Sequence, residues 1–327
     1  NTRKATISYE PPEKISIELS NGMKLEICFA YTLPGFPNLT EAKITQRAYF
    51  RLESEELREL SDFTSIAFKI TNLMCFAMDE IVSLKNVSAM TPEILRDGGD
   101  DKKYPVPISI YYQSIPFSEK APKKSWHDML FNFGAIKTNA QQVFNNWLSA
   151  YEYLSPALGL YFSTKTGAQK YLDGKFLALA QGLETYHRRT SSETLMGKES
   201  YEALVSEILK GCPEEHLDWL KGRLMNGNEI NLGKRIKKII EPFKDHFGTS
   251  KERSKLLRKI VDTRNYLTHY SENLHAESAK GRDLWVLCMK IEVIFNLHFL
   301  KVIGFTDEEI NNVVKNCYPL KRKLEEI

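Results

Sequence analysis

Residues 261–272 read VDTRNYLTHYSE, and they follow an apolar stripe at helical spacing. The stripe occupies positions i, i+1, i+4 and i+5 and consists of Leu256, Leu257, Ile260 and Val261. One further turn predicts apolar residues at 264 and 265, but the sequence has Arg264 and Asn265 there. Because an unpaired buried charge is costly, an inward guanidinium needs a carboxylate, a phosphate or a wet cleft. The stretch therefore predicts a polar site where a packed helix ends.

His269 lies five positions after Arg264. On a straight helix with about 100° per residue, the two side chains are about 140° apart around the axis. Either the helix breaks between them, or the two residues meet only across an interface. Both arrangements are more typical of a functional site than of a core, although a purely structural Arg–His pair is the alternative interpretation.

These residue types favour one chemistry. A neutral imidazole accepts the proton of a ribose 2′-hydroxyl, and a guanidinium stabilises the charge of the phosphorane-like transition state. An asparagine amide orients a phosphate oxygen or fixes the histidine tautomer. Acid–base catalysis typically contributes about 10²–10⁴ in rate, and electrostatic stabilisation contributes a similar factor. That is enough for slow, metal-independent cleavage of RNA to a 2′,3′-cyclic phosphate and a 5′-hydroxyl.

The segment that leads to this site is basic. Residues 233–264 contain eleven Lys or Arg and four Asp or Glu, a local balance of +7, whereas the whole chain carries +3. Such a surface attracts a polyanion such as RNA, and Lys255, Arg258 and Lys259 are candidate RNA-binding residues. The alternative is a solvated face of two surface helices.

Composition narrows the class of protein. Hydrophobic residues make up 42% and charged residues 27% of the 327 positions, which is ordinary for a soluble globular protein. Five scattered cysteines show neither zinc nor redox spacing, which indicates a reducing, cytoplasmic location. The sequence has neither a Gly-rich phosphate loop nor a His/Cys metal cluster, so we expect no metal and no cofactor. The most apolar long window, which begins at Trp285, is interrupted by charged residues and predicts a core helix rather than a membrane span.

Strand patterns are confined to the first third of the chain. Apolar residues alternate over 15–19 and 25–29 on either side of Asn21-Gly22, a hairpin turn signal, and again over 44–52 and 108–112. A helical period covers 56–78, and RDGGDDKKYP from Arg96 predicts a polar loop.

Helical periods dominate the rest of the chain. They cover 126–134, 139–164, 168–190, 199–210, 214–225, 232–247, 250–267, 282–303 and 307–316. We therefore predict an α+β fold, with a β-rich mixed domain over residues 1–120 and an all-helical domain over residues 121–327.

The motif RNYLTH, residues 264–269, resembles the R-x4–6-H signature of HEPN-superfamily ribonucleases. Other stretches are similar to ApeA-like prokaryotic anti-phage proteins, in which a sensing-type N-terminal domain precedes an ApeA-like HEPN domain. They are ISYEPPEKISIELSNGMKLEI from residue 7, EAKITQRAYFRLESEE from 41, NNWLSAYEYLSPALGLYF from 145 and LAQGLETYHRR from 179. Compared with that family, the N-terminal domain looks incomplete at its start.

The resemblance implies a metal-independent endoribonuclease that acts as an abortive-infection effector, often on tRNA. It implies a homodimer whose protomers direct Arg and His into one shared cleft, and a phage-derived trigger bound by the N-terminal domain. By the same resemblance His269 is the general base or acid, Arg264 the transition-state clamp and Asn265 a supporting residue.

Two further residues are candidates for supporting roles. Glu184, on the helix that the LAQGLETYHRR segment forms, is placed to pair with Arg264, or it is a surface carboxylate. Tyr270 directly follows the motif and either stacks a base or caps a helix. His187 is more typical of a core or interface histidine than of a catalyst.

Two rival functions remain open at the level of sequence. One is a non-catalytic HEPN module that binds RNA or a partner. In the other, the N-terminal domain alone carries the specific function and recognises a phage component. The helical domain is then a dimerisation platform.

Overall fold

The computed structural model describes residues 6–34, 41–99, 102–112 and 117–325. Its first unit is a three-stranded antiparallel sheet in the order β1-β2-β3. The strands are β1 (Ile15–Glu18), β2 (Lys24–Thr32) and β3 (Thr45–Glu53). Gly22 adopts a φ of 80° in the predicted Asn21-Gly22 turn, a conformation that glycine tolerates without strain. Ile17 pairs with Leu25, and both are buried on the inner face.

Helix α1 (Leu60–Met78) joins this sheet to the helical part of the protein. It packs on α3 (Ala140–Lys165), where the rings of Phe76 and Trp147 stack with centroids 5.7 Å apart. The indole Nε1 of Trp147 donates a hydrogen bond to the Lys69 carbonyl at 2.7 Å. One hydrophobic core therefore runs from the sheet into the helices, and the domain boundary near residue 120 stays a prediction.

Two short ribbons follow α1. Strand β4 (Ser88–Ala89) pairs with β7 (Ile108–Ser109), and β5 (Leu95–Asp97) pairs with β6 (Lys103–Pro105). The predicted polar loop from Arg96 is thus wrong at both ends. Gly98-Gly99 permits a tight turn between β5 and β6, so the polar stretch forms a hairpin; residues 100 and 101 lie outside the described part.

The all-helical character of the remaining chain is confirmed. Its other α-helices are α2 (Phe133–Ile136), α4 (Leu172–Thr190), α5 (Lys198–Lys210), α6 (Leu217–Leu224), α7 (Leu232–Ile240), α8 (Ser250–His269), α9 (Gly281–Val302), α10 (Asp307–Asn316) and α11 (Tyr318–Glu325). Short 3-10 helices cover Trp126–Asp128, Glu214–His216, Glu241–Phe247 and Glu272–Leu274.

Several predicted helix bounds are wrong for local reasons. The helix expected over 126–134 is a 3-10 turn and the one-turn α2, because Asn132 caps the start of α2 by accepting from the Ala135 amide. The helix expected over 232–247 ends as α-helix at Ile240, because Pro242 cannot donate the next backbone bond. The last helix, α11, was not predicted.

Helix α9 forms the centre of the helical domain and contacts α3, α4, α10 and α11. Gly182 lets α4 approach it closely, since a Cβ there would lie only 2.9 Å from the Phe295 ring. Tyr161 donates a hydrogen bond to Asn296 at 2.7 Å in the same buried layer. Among the described residues, no helix combines the length and apolar character that a membrane crossing requires.

Candidate functional site

Helix α8 carries the RNYLTH motif without interruption. Its start is fixed by a capping box, in which Thr249 accepts from the Glu252 amide at 3.3 Å and Glu252 accepts from the Thr249 amide at 2.6 Å. Its end is Tyr270, which adopts the left-handed conformation with φ 52° and caps the helix. Arg264 and His269 therefore lie on one continuous helix, and the expected alternative of a break between them is wrong.

The buried face of α8 differs from the one that the apolar stripe predicts. The side chains turned to the core are Leu256, Ile260, Thr263 and Leu267. Leu257 and Val261 are only partly buried and line a cleft instead. Arg264 lies between the two faces with its side chain 36% exposed, beside the Glu184 carboxylate and at the cleft, two of the surroundings that the sequence predicts for this guanidinium. The apolar stripe is wide because Leu256 and Ile260 pack in the core while Leu257 and Val261 line the cleft.

The guanidinium of Arg264 is held by two polar side chains. Its Nη1 donates to Oδ1 of Asn265 at 3.2 Å, and its Nη2 lies 3.9 Å from Oε2 of Glu184 on α4. The other carboxylate oxygen of Glu184 accepts from Nε and Nη2 of Arg188 at 3.2 and 3.1 Å. The structure thus brings Glu184 to Arg264, while its supporting role stays a prediction.

Alternating charges continue from Arg188 into the interior. Glu229 pairs with Nη1 of Arg188 at 2.5 Å and with Nη2 of Arg235 at 3.3 Å. The buried Arg235 then donates from Nη1 to Nδ1 of His187 at 3.3 Å. Burial lowers the pKa of His187, and the positive charge of Arg235 lowers it further.

Sequence reasoning missed most of this network. Arg188 was detectable, because it follows Glu184 by four positions on one helix face. Glu229 and Arg235 come from a loop and from α7, and no spacing in the sequence relates them to α4. Across the described residues, no group of three or more His, Cys, Asp or Glu side chains is arranged to hold a metal ion.

A cleft of about 880 Å³ opens in front of Arg264 and Asn265, between α4, α7, α8 and the loop before α7. We call it the α7–α8 cleft; it is lined by Glu184, Arg188, Glu229, Ile230, Asn231, Leu232, Gly233, Lys237, Ile240, Glu241, Ser250, Arg253, Ser254, Leu257, Arg258, Val261, Asp262, Arg264 and Asn265. Of the three candidate RNA-binding residues only Arg258 belongs to this lining. Lys259 instead donates to the Glu277 carbonyl at 2.7 Å, and Lys255 is exposed outside the cleft.

His269 is exposed at the last turn of α8 and does not line the cleft. Within the part of the chain that the structure describes, its side chain forms no hydrogen bond or ion pair. It follows Asn265 by four residues, so the two share one side of the helix, whereas Arg264 lies about 7.5 Å back along the axis. Tyr270 is 66% exposed, and its ring meets that of Tyr266 at 5.6 Å.

Two family matches cover most of the chain. ApeA N-terminal domain 1 matches residues 1–147, and Apea-like HEPN matches residues 177–309, which include α8 and the whole network around Arg264. The chain is an ApeA-like HEPN protein. Its domains are those of HEPN-type effectors in anti-phage defence, and HEPN domains are generally ribonuclease domains that bind RNA and dimerise. No curated protein and no solved structure matches the chain.

Proposed function

We propose that this ApeA-like HEPN protein is a metal-independent endoribonuclease that cleaves tRNA or single-stranded RNA in the cytoplasm and so aborts phage infection. The observation that carries the proposal is the fixed guanidinium of Arg264. It is oriented by Asn265 and Glu184 and faces a cleft large enough for a nucleotide. Positioned donors of this kind stabilise the charge that develops on a phosphate in the transition state.

The chemistry follows from the roles of three residues. A neutral His269 accepts the proton of the ribose 2′-hydroxyl, whose oxygen forms a bond to phosphorus. The bond from phosphorus to the 5′-oxygen breaks, and that oxygen takes up a proton from a second imidazole or from water. Arg264 stabilises the negative charge of the transition state, and Asn265 keeps the guanidinium in place. The products are a 2′,3′-cyclic phosphate and a 5′-hydroxyl.

A second copy of the chain completes the site in this proposal. Arg264 and His269 make no contact within one protomer, and the exposed imidazole lies one turn beyond the cleft. A homodimer that pairs two α8 helices supplies the imidazole of one protomer to the guanidinium of the other. Residues 1–120 then form the domain that senses a phage-derived trigger, and residues 121–327 form the HEPN domain.

The test uses the purified full chain, with tRNA and single-stranded RNA as substrates and EDTA in the buffer. We expect cleavage with cyclic-phosphate ends, and we expect Arg264→Ala or His269→Ala to reduce it by about 10²-fold or more. His216→Ala is the matched control, because the side chain of this histidine is 60% exposed and, among the described residues, has its neighbour Glu215 as its only polar partner. Cleavage that needs a divalent ion and survives both substitutions overturns the mechanism.

One observation favours a second candidate, a non-catalytic module that binds RNA or a partner. Within one protomer the guanidinium of Arg264 already contacts Asn265 and Glu184, and no imidazole of the described residues contacts it. That function predicts intact RNA in every assay and binding that persists in both alanine variants.

A further inference from the structure

The floor of the α7–α8 cleft is aliphatic, although its rim is charged. Leu257 and Val261 on α8 form one side of this floor, and Leu232 on α7 forms the other. All three are only partly buried in the protein, so each keeps apolar surface in contact with solvent. Contact between apolar side chains and water is unfavourable, so a flat apolar ligand that covers this floor binds favourably.

Gly233 lies beside the floor and contributes no side chain to it. It lies in the first turn of α7, and a Cβ built on it would be 3.7 Å from Leu257 and 3.8 Å from Val261. These distances, and the 3.5 Å to the side-chain oxygen of Asn231, are ordinary van der Waals distances, so a Cβ fits there without a clash. A side chain longer than a methyl group at this position would extend past the Cβ and cover Leu257 and Val261.

Two cations at the rim have no partner of their own. Lys237 lies one turn after Gly233 on α7, and Arg258 lies next to Leu257 on α8. Neither side chain forms a hydrogen bond or ion pair with any residue that the structure describes. By contrast, the glutamates of the cleft each form an ion pair; they are Glu184, Glu229 and Glu241. Asp262 also lines the cleft and forms no ion pair within the described residues. Besides the donors that Arg264 keeps, the two unpaired cations are free to bind phosphate.

We infer that the α7–α8 cleft is a substrate subsite for one unpaired nucleotide next to the scissile phosphate. The base covers the floor of Leu232, Leu257 and Val261, and its phosphate binds Lys237 and Arg258. This inference rests on the proposed function and adds to it the residues that bind the nucleotide. A base enters such a cleft only when it is splayed out of a helix, so the substrate has an unpaired nucleotide at the cut, and continuous duplex RNA is rejected.

The test measures RNA binding by the full chain carrying His269→Ala, which prevents turnover. The probes are a labelled single-stranded oligoribonucleotide and the same sequence in a complete duplex. We expect at least about tenfold tighter binding of the single strand, and a Kd that rises with side-chain size from Gly233→Ala to Gly233→Leu, by about tenfold for leucine. Gly222→Leu on α6 is the matched control, because nothing lies within 4 Å of a Cβ at that position. Equal Kd values across the Gly233 series overturn the subsite.

A second pair of variants tests the phosphate contacts and does not depend on whether the fold tolerates leucine at position 233. Lys237→Ala and Arg258→Ala should each weaken single-strand binding and reduce the slope of log Kd against log salt by about 0.7. An unchanged slope in both variants also overturns the inference.

The experiments distinguish failure of the proposed nuclease function from failure of the proposed subsite. If single-strand binding depends on residue 233 but the wild-type protein never cuts RNA, the subsite proposal stands and the nuclease proposal fails. If the protein cuts RNA with a KM that does not change in the Gly233 variants, the nuclease proposal stands and the subsite proposal fails.

Discussion

The Nη2 atom of Arg264 on α8 lies 3.9 Å from the Oε2 atom of Glu184 on α4. This separation is too long for a hydrogen bond but short enough for electrostatic attraction. Arg188 holds the other oxygen of the same carboxylate at 3.1 Å, so Glu184 cannot close fully on Arg264. Glu184 therefore orients the guanidinium of Arg264, which keeps N–H donors for a phosphate.

The first prediction concerns the aim of that guanidinium. Glu184→Gln removes the attraction and leaves a side chain of the same shape, so we expect kcat to fall about tenfold, because a misdirected donor stabilises the transition state less. KM should stay level or decrease, because the cleft loses a negative charge. Steady-state cleavage of a defined oligoribonucleotide separates the two parameters.

The control for this prediction is a double variant. If Glu184 acts through Arg264, then Arg264→Ala combined with Glu184→Gln cuts no more slowly than Arg264→Ala alone. Additive losses would show that the carboxylate has a separate task.

The second prediction tests whether two protomers share one site. Arg264→Ala and His269→Ala chains, co-expressed with different tags and purified as a mixed dimer, should regain a part of the wild-type rate. One of the two sites then contains an intact guanidinium from one chain and an intact imidazole from the other. Each variant purified alone supplies the baseline, and a mixed dimer that stays at that baseline contradicts a composite site.

Local sequence patterns predicted most helices and strands of this fold. The site was harder to predict, because its contacts join residues that are distant in the sequence. The hairpin at Asn21-Gly22 and the start of α8 are both set by neighbouring residues, so they could be found from the sequence. The position of Arg264 could not, because periodicity counts apolar residues without showing that Val261 faces a cleft. The link from Glu229 to Arg235 joins a loop to a helix and exists only after folding.

The third prediction separates the basic residues of α8. Lys259 donates to the Glu277 carbonyl, and Lys255 is exposed and does not line the cleft that Arg258 lines. Lys255→Ala should therefore change KM for RNA by about twofold or less, as expected for a distant, screened charge. Arg258→Ala should raise KM several-fold more at the same ionic strength. Equal effects of the two substitutions would place the RNA across a different face of α8.

The fourth prediction concerns the buried carboxylate of Glu292 on α9. Three lysines surround it, with Nζ atoms 2.8, 2.7 and 3.2 Å from its oxygens; they are Lys165, Lys175 and Lys323. Two of them also bind Asp79, which follows α1, so this cluster ties the N-terminal unit to the helices. Glu292→Ala leaves like charges buried together and should lower the free energy of unfolding by about 3–5 kcal/mol in urea titrations.

Acid should reproduce part of that loss. Burial alone would raise the pKa of Glu292, but attraction to the lysines outweighs burial and lowers the pKa from 4.5 to about 2. A lowered carboxylate pKa stabilises the fold above the unfolded-state value, so this contribution is complete above pH 4.5 and is lost as the pH falls toward about 2. The exposed Glu207 on α5 is the control, since its replacement by alanine should cost about 0.5 kcal/mol or less.

The fifth prediction assigns a milder acid sensitivity to His298. Its ring lies between Tyr186 and Phe243, with centroids 4.8 and 4.9 Å away, and its Nε2 donates to the Ile239 carbonyl at 2.8 Å. Burial lowers the pKa of His298 from 6.5 to about 4, against the opposing effect of that hydrogen bond. Between these values the unfolded chain binds a proton that the folded chain does not, so the free energy of unfolding falls as the pH drops.

His298→Gln isolates this effect, because glutamine retains an amide donor for the Ile239 carbonyl and does not titrate. Wild-type protein should lose about 2 kcal/mol more than the variant between pH 7 and pH 5 in paired urea titrations. His187, whose pKa is also lowered by burial, remains in both proteins and cancels in the comparison. The same loss in both proteins would mean that the imidazole of His298 is protonated in the fold or reaches water, and the burial argument for its neutral state would be wrong.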